Sequence, residues 1–312
     1  RAKAAGKLAY ESYGANPNGV LQRDLEYLLR DQDPRFQTPT PAMFDAATPA
    51  GFREVWEPLL EQGPVEVLVF GEFDKAATIE ALRKTFGALD QRETAPAEVL
   101  ERAIDFPDAG ETVIRRHRGD ANQAAAVIAW PSGAGVDGLR ESRRLEVLVS
   151  LFNNRLMEAM REHAGASYSP VVRSDWPSDV DSGGRIAALA QLRPEDVPVF
   201  FAEAERIAQE LASTPVGEDE YNRVVEPLRQ YVSRASTGNL FWLYQLEGAT
   251  VDPRSIADLR FLLADYTQTD PAVLQALAQK YFGSRAGWRL AVLPEGQELA
   301  TASGPASAGE GR

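Results

Sequence analysis

The sequence predicts an α+β fold, a mainly antiparallel sheet with helices packed on one face. Three observations carry that prediction. Short strand-like runs precede a single long helical stripe, two more follow it, and a helical series then ends in a returning apolar run.

Taken in order, the part up to about residue 90 is helix-rich. Residues 19–30 place Val20, Leu21, Leu25, Leu28 and Leu29 on one helical face, which stops before Asp33-Pro34. Thr48 followed by Pro49 reads as an N-cap with proline at the first helical position, opening a helix through Trp56 and Leu60. VEVLVFG (65–71) predicts a short strand, and Asp74 caps a helix from Lys75 to Phe86. A lone strand makes no sheet, so its partners are expected before Arg1 or in another chain. Residues 88–110 are polar, carry two prolines and read as a linker.

The second part reads as a complete layer structure. Strands are expected at 112–118 and 123–130, with Gly119 and Asp120 marking the turn between them. A helix over about 139–160 puts Leu145, Leu148, Phe152 and Leu156 on one face. Strands at 167–174 and 184–192 follow. Helices are then expected at about 195–212, 217–235, 239–248, 253–264 and 270–282, before a closing strand at 288–294. The division expected is therefore 1–90, a linker at 91–110, a second unit at 111–296, and a Gly/Ala/Ser-rich tail at 297–312 that reads as disordered.

Composition limits the chemistry. The 312 residues leave room for roughly two domains. A net charge of −13 argues against a nucleic-acid partner, because phosphate binding needs a basic surface. The absence of cysteine excludes thiolate metal sites, cysteine nucleophiles and disulfides. No run approaches the roughly 18 apolar residues of a membrane span. The chain begins RAKAAGKLAY, without Met, and is expected to be a piece of a longer protein.

Catalytic machinery is largely missing. The only histidines, His117 and His163, lie far apart, whereas a helical zinc site needs two imidazoles one turn apart. In AMREH (159–163), Ala159 stands where an H-x-x-E-H motif needs its first histidine, so His163 reads as a surface residue of a turn. There is no G-x-S-x-G. Gly133, Gly135 and Gly138 precede a helix without phosphate-loop spacing, and read as a flexible loop. The acidic run EDEY (218–221) reads as favourable charge at a helix N-terminus.

One juxtaposition remains. The long helix delivers Arg161, a turn through Gly165 follows, and Tyr168 opens the next strand. A guanidinium and a phenol so placed can hold a peptide carbonyl or an oxyanion developing from it. Helix-dipole complementarity for the arginine and strand packing for the tyrosine account for the same residues without function.

The surroundings of that pair have a wider resemblance. The order long helix, Arg161, turn, Tyr168, two strands, helix resembles the C-terminal half of pitrilysin–insulinase type zinc metalloendopeptidases, the inverzincins, whose R-x6-Y element these two residues match. VFGEFD (69–74), TPVGEDEYNRVVEPLRQYV (214–232), NLFWLYQL (239–246) and ALAQKYFGSRAGWRLAVLP (276–294) are similar to further family segments, in the family's order.

The resemblance implies two-layer α/β rolls like those of the mitochondrial processing peptidases, with the first roll incomplete here. It also implies a chamber closed by two halves, with Zn bound by the other half through H-x-x-E-H and not by this chain. Arg161 would hold substrate backbone, and Tyr168 would take the catalytic part of stabilising the oxyanion. The partners implied are a zinc-bearing N-terminal half or subunit and a peptide or unfolded polypeptide substrate. The zinc motif itself is absent, so the chain alone is expected to be inactive. The alternative is a non-catalytic assembly or peptide-binding subunit with the same fold. Bacterial relatives of this kind are often exported, which favours the periplasm over the cytoplasm.

Overall fold

Position in the sheet follows apolarity. The computed structural model describes residues 1–93, 103–164, 169–283 and 285–300, with residues 163 and 164 described by backbone alone. Its five strands are β1 (Val113–His117), β2 (Ala124–Pro131), β3 (Val171–Asp175), β4 (Arg185–Leu192) and β5 (Trp288–Pro294). Their order across the sheet is β1-β5-β2-β4-β3. β2 and β5 are buried along almost their whole length and sit centrally, whereas β1 and β3, rich in Arg, Ser and Asp, form the edges.

The Gly119-Asp120 turn does follow β1, yet β1 and β2 are not neighbours. β5 lies between them, parallel to β1 and antiparallel to β2, while the β2–β4 and β4–β3 pairs are antiparallel. The wholly apolar LAVLP run gains more from a two-sided burial than the IRRH run of β1 would.

The helices are α1 (Ala2–Ser12), α2 (Pro17–Leu28), α3 (Pro41–Ala46), α4 (Pro49–Leu60), α5 (Lys75–Lys84) and α6 (Leu139–Ala164). After β4 come α7 (Val197–Ser213), α8 (Glu218–Ala235), α9 (Asn239–Gln245), α10 (Arg254–Leu259), α11 (Leu262–Thr267) and α12 (Pro271–Phe282). The expected caps form: Thr48 accepts from the Gly51 N–H at 3.0 Å and Asp74 from the Ala77 N–H at 2.8 Å. The single helix expected over 253–264 is instead two, α10 and α11. The break leaves the Asp258 carbonyl to accept from Arg143 Nη1 at 2.8 Å and brings Asp265 under the arginines of α6.

On one face of the sheet, α6, α7 and α12 cover β2 and β4. Leu145, Leu148, Phe152 and Leu156, the predicted stripe, are fully buried there. The rings of Trp130, Phe152 and Phe282 meet with centroids 5.1–5.9 Å apart, edge-on or tilted. The opposite face is also covered, by α2 from the N-terminal part. Val20, Leu21, Leu28 and Leu29 pack on Val127, Trp288, Leu290 and Val292. Two arginines tie this layer down: Arg185 Nη2 reaches Glu26 at 2.7 Å and Asp175 at 2.9 Å, and Arg30 pairs with Glu26.

The strand expected at 65–71 does not form. Its backbone finds no ladder partner among the described residues, and Val65, Val67, Val69 and Phe73 remain exposed. Glu66 fastens the segment instead, accepting from the backbone N–H of Gly248 at 2.7 Å and of Thr250 at 2.9 Å. Of the expected linker, residues 94–102 lie outside the described residues. Ile104 donates its N–H to Ser182 Oγ at 2.8 Å, and Phe106 packs on the α2 side of the sheet. Of the tail, residues 301–312 lie outside the described residues, while Leu299 packs on the main core and Glu298 pairs with Arg116 at 2.9 Å. Among the described residues no helix is long and apolar enough to cross a membrane.

Phe152→Ala removes one ring of the buried, mutually touching trio and should cost about 3–5 kcal/mol in urea denaturation.

Candidate functional site

The amphipathic stripe of α6 holds its central turns against the sheet and leaves its last turns at the surface. Arg161 stands there, exposed and without a hydrogen bond or ion pair to another described residue. It borders a shallow depression of about 520 Å³ with Asn154, Met157, Glu158 and Glu162. Asn154 and Met157 also line a second depression, of about 390 Å³, that runs along Ser169–Arg173 at the edge strand β3. The two form one shallow track from Arg161 to the sheet edge. Tyr168 lies outside the described residues, as does the side chain of His163, so the structure places only the arginine of the predicted pair.

Two contacts fix the helix end relative to its surroundings. Asn153 Oδ1 accepts the Val172 N–H at 2.9 Å, tying the first turn of β3 to α6. Arg155 makes a two-pronged ion pair with Glu220, Nε to Oε1 at 2.7 Å and Nη2 to Oε2 at 2.9 Å. The EDEY run therefore does more than complement a dipole: Glu220 locks the start of α8 against α6.

Other candidates from the sequence turn out to be structural. His117 is buried, with Nδ1 accepting from the Gly119 N–H at 3.0 Å and Nε2–H donating to the Gln123 carbonyl at 2.8 Å. Both nitrogens are used, and the ring clamps the turn after β1. The glycine loop is packed, not a cradle. A Cβ on Gly133 or Gly138 would come within 2.2 or 2.0 Å of the Trp176 ring, whose Nε1–H donates to the Gly135 carbonyl at 2.9 Å. Gly135 has φ of +83°, a second reason for glycine there.

Sequence reasoning missed a charged centre at the other end of α6. Asp265 is 1% exposed and accepts from Arg140, Arg143 and Arg144 at 3.1–3.4 Å. One turn on, Glu146 opens onto a cleft between α6, α8, α9 and α11, and accepts from the Tyr266 hydroxyl at 2.7 Å. Burial by the surrounding protein pushes the Glu146 carboxyl above its usual 4.5, against the opposing effects of Tyr266 and Arg143. The same burial, together with Glu146, raises the Tyr266 phenol. The only sequence signal was a run of charge, RRLE (143–146), inside an otherwise apolar helical stretch. Among the described residues no three His, Asp or Glu side chains are grouped to hold a metal ion.

Comparison with known proteins follows the same lines. The sequence model of the family described as the peptidase M16 inactive domain matches residues 51–228, more than half the chain. None of the curated proteins matches it. Among solved structures, the peptidase M16 inactive domain from Pseudomonas fluorescens superposes with a TM-score of 0.75 at 15% identity, covering 98% of this chain and 71% of that one. The periplasmic protease PqqL from Escherichia coli gives 0.68 at 13% identity, covering 94% of this chain and 32% of that one. A chain of complex III from Candida albicans gives 0.67 at 14% identity, covering 93% and 70%. At such identities the likeness is one of fold.

Two expectations follow from the geometry. Asn153→Ala strands the Val172 N–H and should cost about 1–3 kcal/mol, with faster hydrogen exchange of that amide. For Glu146, a raised folded-state pKa means its favourable contribution is complete below the usual value and is lost as pH rises through the raised one. Glu146→Gln keeps the acceptor for Tyr266 and removes that loss, so its stability relative to the parent should improve as pH rises above the usual carboxylate value in urea titrations.

Proposed function

Because the chain belongs to the family of peptidase M16 inactive domains, we propose that it is the non-catalytic, substrate-binding half of a zinc-dependent metalloendopeptidase. The observation that carries this reading is the exposed guanidinium of Arg161, without an ion-pair partner among the described residues, at the surface end of a firmly buried helix beside a track to the sheet edge. Zinc and the activation of water come with the other half. Arg161 donates to carbonyl oxygens of an extended peptide and fixes its register. Tyr168, seven positions on in the R-x6-Y spacing, donates its hydroxyl to the oxygen that gains charge as the scissile carbonyl becomes tetrahedral. Asn153 and the Arg155–Glu220 pair keep the two elements that flank this segment in place. The periplasm is the proposed compartment, in keeping with the E. coli protease of similar fold.

A second reading, a non-catalytic subunit of an assembly, is supported by the fold shared with a chain of complex III. An H-x-x-E-H motif, in the same polypeptide or in a partner encoded beside it, separates the two: the protease requires one.

In the intact, zinc-loaded protease, Tyr168→Phe should lower kcat by roughly 10²–10³ with zinc content unchanged, and an unaltered kcat would refute the oxyanion role. Arg161→Ala should raise KM and lower kcat together. A change in unfolding free energy alone would leave the arginine as a helix-end charge. The purified chain should show no chelator-sensitive peptide cleavage.

A further inference from the structure

The cleft at Glu146 is distant from Arg161 along α6 and has no part in the chemistry above. Its walls are apolar: Leu228 and Val232 of α8, Phe241 of α9 and Leu262 of α11. At its rim Tyr231, Leu240 and Tyr244 are 62, 63 and 65% exposed. Lobes of about 540 and 660 Å³ share Glu146, Tyr244, Gln245 and Tyr266, so they form one continuous trough. The second lobe adds Asp179, Asp181 and Glu247.

Charge in the trough is unbalanced. Among the described residues the Glu146 carboxylate has one hydrogen bond, from Tyr266, and no cation. Arg143, the nearest cation along the helix, is committed to the Asp258 carbonyl and to Asp265. Arg254, at the far lobe, is committed to Asp137 at 2.8 Å and Asp252 at 2.9 Å. The geometry points to a docking site for an extended polypeptide segment that carries a lysine or arginine beside a large apolar residue. The cation would give Glu146, which stands exposed to the trough, an opposite charge to pair with, and the tyrosine and phenylalanine faces attract it further. The apolar neighbour would cover Leu240 and Tyr244. An anionic ligand meets like charge, and a purely apolar one would desolvate Glu146 without compensation. A chelated metal ion is not served, because these carboxylates are not grouped as ligands.

The site rests on the reading that this chain meets polypeptides, but not on Arg161 or Tyr168, and the two fail separately. Fluorescence anisotropy of the 312-residue chain with a labelled octapeptide, Gly-Ser-Leu-Arg-Leu-Ser-Gly-Ser, tests it. Saturable binding is expected, weakened about 10-fold when glutamate replaces the peptide's arginine, when serine replaces its leucines, or in Glu146→Gln protein. Tyr244→Ser, at an exposed rim position, should weaken it as well. Circular dichroism of each variant checks that the fold is kept. No saturable binding up to about 1 mM, equal affinity for the glutamate peptide, or unchanged affinity in Glu146→Gln overturns the site. Loss of the Tyr168 effect on kcat, with this binding intact, would instead remove the catalytic reading alone.

Discussion

Two strands of this chain, β2 and β5, have no polar face to offer water, and the rest of the architecture answers that constraint. An alternating strand needs one cover; a strand buried at almost every position needs two. The fold supplies an aromatic layer of α6, α7 and α12 below the sheet and the single helix α2 above it. Polar strands can then be spent at the margins, which is where β1 and β3 lie. The edge formed by β3 in turn lies beside the end of α6, where Arg161 stands. Placement of that arginine thus depends, through the packing of α6 on β2, on the apolar content of the central strands.

Much of this was legible before any coordinates. Leu145, Leu148, Phe152 and Leu156 share a face at helical spacing, and all four are fully buried. Thr48 and Asp74 cap the helices expected of them, because a cap is decided by the chemistry of three or four adjacent residues. What could not be read was non-local. Nothing in WRLAVLP says that it inserts between β1 and β2, since pairing is a competition among all strands for the central places. VEVLVFG has the composition of a strand, but a ladder needs a partner that local pattern cannot supply. Gly133 and Gly138 look like loop freedom and are in fact room for the ring of Trp176, which comes from beyond the next strand.

The candidate site divides along the same line. Arg161 could be singled out because it stands in an R-x6-Y spacing with Tyr168. The Glu146 trough was not, because its walls come from α6, α8, α9 and α11 and meet only after the chain has folded. Helix α6 joins the two. Its apolar face is shared, while its solvent side carries, among the described residues, a cation without an ion-pair partner at one end and a carboxylate without one nearer the other. A single rigid rod then sets the distance between them.

The two covers of the sheet are not equal. Below it, interlocking rings exclude water. Above it, α2 and its C-cap Leu29 contribute four buried aliphatic side chains and lean on Arg30 and Arg185, each of which keeps one buried nitrogen, Nε and Nη1 respectively, without an acceptor among the described residues. Their shared partner Glu26 is half-exposed, so mobile ions compete for it. Rising ionic strength would therefore loosen the upper cover while leaving the lower one indifferent. That asymmetry makes the α2 face the weather side of the molecule, the one whose integrity reports the salt around it.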